Sequence, residues 1–134
     1  MKLQEEEIIK KIIAFARKEK GLTEAVENEI LAYFGDKGSK VVDVLKNKRL
    51  YKLSITKKLN LWLVGGKDKD YLIIDNNFCE CHDFQIRVLM KRERNYCYHL
   101  LAKIIGEALK IYDTRVMTAE EYEKLIEKKV EQRQ

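Results

Sequence analysis

The fold of this chain is organised around residues 79 to 99, which read CECHDFQIRVLMKRERNYCYH. All three cysteines of the 134-residue chain and both of its histidines lie in this stretch. Cys79 and Cys81 are two residues apart, and Cys97 and His99 are two apart after a fifteen-residue insert. Thiolate and imidazole are ligands that zinc prefers, and four of them in two close pairs match a closed tetrahedral site. We therefore expect these four side chains to hold one structural Zn²⁺ per chain.

The spacing of each pair predicts a different backbone. Side chains two apart in an extended segment point to the same side, so Cys79 and Cys81 can reach one ion from a short strand. On a helix the same separation is about 200° of rotation, so Cys97 must lie at or before the start of the following apolar helix. The free N–H groups and the positive end of that helix would then point toward the thiolates.

Other roles for these residues are less consistent with the pattern. Three cysteines cannot form a complete set of disulfides, and reduced thiols are expected in a cytosolic protein. A single buried cysteine is common, but two close ligand pairs are not explained by burial alone. His82 directly follows Cys81 and stays an alternative ligand to His99, although adjacent side chains of an extended chain point apart.

The first 48 residues predict an N-terminal helical segment. Apolar residues recur at helical spacing over residues 5–18, and Gly21 ends that pattern. Thr23 is placed to cap a second helix that Gly35 closes. A third short helix is expected after residues 36–39.

Residues 49–112 predict a small antiparallel sheet that leads into the zinc module. Short runs of aromatic and β-branched residues indicate strands at 50–55, 61–64 and 71–74, with turns at 65–69 and 75–77. Residues 78–81 would form a short returning strand. One or two helical turns are expected at 83–90, followed by a basic loop and the helix after Cys97. The expected fold class is therefore α+β, with one compact domain overall.

Residues 113–134 predict a C-terminal helix. Thr118 and Glu121 have the spacing of a capping box, which starts a helix over about residues 119–131. Its narrow apolar face would either pack on its own domain or dock on another chain. That face consists of Tyr122, Leu125, Ile126 and Val130.

The ligand pattern resembles that of the SWIM zinc finger, Cys-x-Cys followed by a variable insert and Cys-x-His. Residues 97–102, CYHLLA, match the longer form Cys-x-His-x-x-Ala of the small SWIM subunits in Shu-type recombination complexes. The resemblance covers roughly residues 40–112 and implies a zinc-bound ββα-like module. It also implies a non-catalytic adaptor that pairs with a RecA/RadA-family recombinase paralogue in homologous recombination and DNA repair. DNA would then be reached through the complex, and the isolated chain could form a homo-oligomer.

Direct DNA binding is the alternative function. The net charge is +5, and the basic excess lies in the middle, with six basic against three acidic residues over 49–78 and six against four over 79–112. Such an excess is modest for a dedicated nucleic-acid binder. The candidate DNA contacts, with Tyr96 or Tyr98 nearby, are Lys57, Lys58, Lys67, Lys69, Lys91, Arg92 and Arg94.

Catalysis and membrane insertion are not expected. A catalytic zinc keeps an open coordination position, and the known zinc-hydrolase, deaminase and phosphate-loop motifs do not occur in the sequence. No apolar run approaches the length of a membrane span, and the first residues lack the basic start of a signal peptide. We expect a cytoplasmic protein, nucleoid-associated in a prokaryote or nuclear in a eukaryote.

Overall fold

The computed structural model describes residues 2–55, 60–66, 69–76, 78–81, 84 and 96–133. Within these residues the chain forms five helices and a small mixed sheet, which confirms the α+β class. The helices are α1 (Lys2–Lys18), α2 (Glu24–Phe34), α3 (Asp36–Lys46), α4 (Tyr98–Leu109) and α5 (Ala119–Arg133). The strands are β1 (Leu50–Ser54), β2 (Leu61–Gly65), β3 (Asp70–Ile74), β4 (Phe78–Cys79) and β5 (Asp113–Val116). The expected helical turns at 83–90 lie outside the described residues, apart from the buried Phe84.

The N-terminal helices follow the expected capping signals, with one difference. The Thr23 hydroxyl accepts a hydrogen bond from the Val26 N–H at 3.4 Å and caps α2. The expected loop at residues 36–39 is wrong, because α3 already begins at Asp36. Gly35 has φ of 56° and reverses the chain in one residue, so no longer loop is needed.

The sheet has the strand order β4-β3-β2-β1-β5. The neighbours from β4 to β1 are antiparallel, as expected, but β5 pairs with β1 in parallel. The expectation of a purely antiparallel sheet, and of helix alone after residue 112, is therefore wrong. The physical reason is that α4 carries the chain back to the outer edge of β1, where residues 113–116 add one more strand before α5 begins.

Alternation along the strands divides the interior into two apolar clusters. Leu50, Trp62 and Ile73 belong to the larger cluster, which also includes the buried residues of α1, α2, α3 and α4. The side chains between them form the second cluster with α5, and these are Leu53, Leu61, Leu63 and Leu72 from the sheet and Tyr122, Leu125 and Ile126 from the helix. The sheet therefore lies between four helices on one face and α5 on the other.

The C-terminal helix packs on its own sheet, which decides between the two alternatives for its apolar face. The predicted apolar face of α5 is wrong at one residue, Val130. Val130 is 51% exposed, and Lys129 occupies the inward position one residue earlier with 8% exposed. None of the described helices is both long and apolar enough to cross a membrane.

Candidate metal centre

The first ligand pair lies at the end of the short edge strand β4. The expected strand over residues 78–81 is too long, because β4 ends at Cys79 and Cys81 lies two residues beyond it in a bend. Cys79 pairs with Ile73 of β3, and the turn before β4 contains Asp75 at φ of 51°. Both cysteines belong to the larger apolar cluster, on the face of the sheet opposite α5. Both thiols are buried, with Cys79 fully inaccessible and Cys81 4% exposed.

The second pair lies at the start of α4. Cys97 is the N-cap residue, with φ of −76° and ψ of 170°, and its Sγ accepts a hydrogen bond from the Leu100 N–H at 3.4 Å. The expectation that Cys97 precedes the helix is thereby confirmed. His99 lies in the first turn of α4, so the two ligands approach from different backbone conformations.

The four side chains converge on one point. The Sγ atoms of Cys79, Cys81 and Cys97 and a ring nitrogen of His99 all lie within 4.8 Å of one another, and all four residues are buried. A tetrahedral ion with bonds of about 2.3 Å to sulfur separates its ligand atoms by about 3.8 Å. The arrangement therefore can hold a metal ion after small movements of the side chains.

His99 provides an independent sign that a ligand belongs here. Its ring contacts those of Tyr71 and Tyr98, at centroid distances of 4.3 and 3.9 Å. Both ring nitrogens are buried without a hydrogen-bond partner among the described residues. Buried polar atoms are nearly always satisfied, so an orphaned imidazole beside three thiols fits a metal ligand. The alternative ligand His82 lies outside the described residues.

Comparison of the chain with protein-family models, with the curated proteins and with the solved structures found no match. The assignment of a metal centre therefore depends on the geometry of these four residues.

The thiols differ in protonation before any metal binds. Hydrogen bonds from the Cys79 and Cys97 thiols lower the pKa of Cys81, and the Phe84 N–H, 3.3 Å from the Cys81 sulfur, contributes to the same effect. The hydrogen bonds with Cys81 and Cys97, together with burial, raise the pKa of Cys79. The hydrogen bond from Cys79 opposes a rise at Cys97, but the contact with Cys81 and burial outweigh it and raise the pKa of Cys97 to about 12. Of the three thiols, that of Cys81 therefore loses its proton most readily, and those of Cys79 and Cys97 hold theirs more tightly.

Two buried lysines near the centre were missed by the sequence analysis. Lys103 of α4 is fully buried, where its Nζ contacts Asn76 Oδ1 at 2.5 Å and Glu107 Oε1 at 2.7 Å. Lys129 of α5 forms an ion pair with Glu80, the residue between the first two ligands. A lysine on a helix usually indicates a solvated face, so no signal in the sequence distinguished these two from the other lysines.

The structure describes one of the seven candidate DNA-contacting residues. Lys69 is exposed, and its Nζ lies 5.2 Å from the centroid of the Tyr71 ring. The other six lie outside the described residues, so a DNA-binding surface stays a prediction. These six are Lys57, Lys58, Lys67, Lys91, Arg92 and Arg94.

Proposed function

We propose that the chain binds one Zn²⁺ as a structural ion and works as a non-catalytic adaptor. The observation that carries this proposal is the convergence of four buried ligands from two separate segments. Three thiolates and one imidazole complete a tetrahedral shell, which leaves no position for the water that a catalytic zinc requires. The ion would join the edge of the sheet to the start of α4.

We further propose that this adaptor belongs with the SWIM zinc fingers and pairs with a RecA/RadA-family ATPase in recombination and repair. The β3–β4 hairpin followed by α4 supports a ββα-like module around the ligands. The resemblance over residues 97–102 supports the partner class. Within that segment Ala102 is fully buried, and its small side chain permits close packing of α4. DNA affinity would then reside mainly in the partner.

The metal assignment is tested by elemental analysis of the purified full chain. We expect one equivalent of zinc per chain, lost when Cys79, Cys81, Cys97 or His99 is changed to alanine. His82→Ala is the matched control and should retain the metal. If His82→Ala loses the zinc while His99→Ala keeps it, the fourth ligand is His82.

The adaptor role is tested by affinity capture of the zinc-loaded chain from source-cell extract. We expect a RecA-fold ATPase to be identified by mass spectrometry, and expect it not to be captured by the Cys97→Ala variant.

Direct DNA binding is tested by titrating short single-stranded and double-stranded DNA with the isolated chain at about 150 mM salt. Each phosphate contact on duplex DNA contributes about −0.9 to the slope of log affinity against log salt concentration. Weak binding is expected. Tight binding that a combined Lys91→Ala, Arg92→Ala and Arg94→Ala variant abolishes would instead establish direct DNA binding.

A further inference from the structure

The residue between the first two ligands points to the opposite face of the sheet. Glu80 forms an ion pair with Lys129 of α5, whereas Cys79 and Cys81 belong to the cluster that includes α4. The Glu80 N–H donates to the Leu72 carbonyl at 3.1 Å, and the Leu72 N–H donates to Glu80 Oε1 at 2.7 Å. Glu80 therefore extends the pairing of β3 with β4 by one residue, with its carboxylate as the second acceptor for β3. Only 6% of the Glu80 side chain is exposed.

Lys129 reaches this carboxylate from α5. Its Nζ forms an ion pair with Glu80 Oε1 and donates to the Asp70 carbonyl at 2.7 Å, with 10% of the side chain exposed. Tyr122, Leu125, Ile126 and Lys129 follow the helical spacing of one inward stripe, so the lysine takes a position that an apolar residue normally fills. Burying a lysine there is costly unless it is paired, and the paired groups are those that hold residues 79–81.

The metal-binding segment is paired with the rest of the sheet on one side only. β4 is only two residues long and is the edge strand of the sheet, so β3 supports it on one side. Small rotations of residues 79–81 would move both thiols at once. A side chain that fixes Glu80 from the far face therefore limits the movement of two of the four ligands.

We propose that Glu80 and Lys129 are positioning residues for the metal centre, through which α5 controls how fast the metal leaves. This inference rests on the proposed metal site. It makes the C-terminal helix part of that site through the contact of Lys129 with Glu80. Mutation of side chains that orient metal ligands from outside the coordination shell typically lowers metal affinity by about 10 to 100-fold.

The test compares metal release from three variants of the full chain loaded with Zn²⁺. An excess of a chromogenic chelator is added and the release rate is measured. We expect Lys129→Met to release Zn²⁺ about 10-fold faster than the unchanged chain. Lys129→Arg keeps the charge and should restore most of the slow release, while Lys128→Met, at an exposed neighbouring position, should release at the unchanged rate. Equal rates for Lys129→Met and the unchanged chain would overturn the inference.

Two further measurements separate positioning from a general loss of stability. Ile12→Val removes one methylene from the core at α1, far from Glu80 in the chain, and serves as a reference of lowered stability. If Ile12→Val accelerates metal release as much as Lys129→Met for the same loss of stability, the ion pair has no specific role.

The double variant Glu80→Gln with Lys129→Met should accelerate metal release no more than the stronger single change, since both substitutions act through one contact. Additive effects would contradict this.

A spectroscopic measurement keeps the two proposals distinguishable. With Co²⁺ in place of Zn²⁺, Lys129→Met should retain the thiolate-to-metal absorption of the unchanged chain, because its ligands are the same. Cys81→Ala should lose part of it. An unchanged chain that takes up neither metal would overturn the metal site itself, whereas normal uptake with equal release rates would overturn only the role of α5.

Discussion

The three cysteines of the metal centre have different local environments before a metal binds. Cys81 accepts hydrogen bonds, which lowers its pKa, whereas burial and the hydrogen bonds among the thiols raise the pKa of Cys79 and of Cys97. A metal that binds must therefore displace protons from Cys79 and Cys97 more than from Cys81.

This difference predicts the pH dependence of zinc binding. Protons compete with the metal for Cys79 and Cys97, so affinity should weaken as the pH falls. We expect the apparent Kd for Zn²⁺ to rise as the pH falls from about 8.5 to 7, by about 10-fold per unit of pH for each proton that the metal displaces. Competition against a chelator of known affinity, corrected for its own protonation, measures the slope. A slope of zero would show that the metal displaces no proton, which would contradict the raised pKa of Cys79 and of Cys97.

At the scale of elements, the contact between α2 and α3 depends on one glycine. Gly38 is buried in α3, and a Cβ built on it would lie 2.5 Å from the carbonyl oxygen of Ile30 in α2. Because the obstructing atom belongs to a helix backbone, a side chain could be accommodated only if the two helices moved apart. α3 in turn packs against α4, which begins after its N-cap Cys97 and carries His99.

We therefore predict that Gly38→Ala destabilises the protein. Alanine should gain about 1 kcal/mol in helix propensity, but overpacking typically costs about 1 to 3 kcal/mol. A net loss of about 1 kcal/mol in the free energy of unfolding is expected from chemical denaturation. Ser39→Ala, at the adjacent exposed position, is the control and should change stability by less than about 0.5 kcal/mol. A Gly38→Ala variant as stable as the unchanged chain would show that moving α2 and α3 apart costs no more than the helix propensity that alanine adds.

For the whole molecule, the metal centre and the N-terminal helices share one apolar cluster. Cys79, Cys81 and Cys97 belong to the same cluster as Ile12 of α1 and Ile30 of α2. Metal removal should therefore lower local stability most near the metal centre and progressively less at greater distance from it. Structural zinc contributes on the order of 10 kcal/mol in small zinc peptides, and less of this is visible where a larger core is also present.

Hydrogen exchange on the chelated full chain should show this gradient. We expect the largest loss of protection at residues 79–81, at the first turn of α4 and, through Lys129, in the second half of α5. Protection in α1 and α2 should fall least. Readdition of one equivalent of Zn²⁺ should restore the original pattern. Equal loss throughout the chain would mean that the ion supports global stability without a local role.

The sequence by itself determined the parts of this protein that depend on local chemistry. Ligand spacing placed Cys97 before its helix, and the observed N-cap confirms this. The Thr118 and Glu121 capping box is present, with both hydrogen bonds at 3.1 Å. Strands β1, β2 and β3 were also predicted, because their buried side chains carry a strong apolar signal.

Only the tertiary structure decided the features that depend on what lies opposite a residue. All four side chains of β5 are exposed, so that strand has no apolar pattern and exists because α4 returns the chain beside β1. The inward position of Lys129, in place of Val130, depends on Glu80, which is 49 residues earlier in the chain. Local spacing therefore fixed which residues can bind a metal, whereas pairing between distant segments determined what holds them in place.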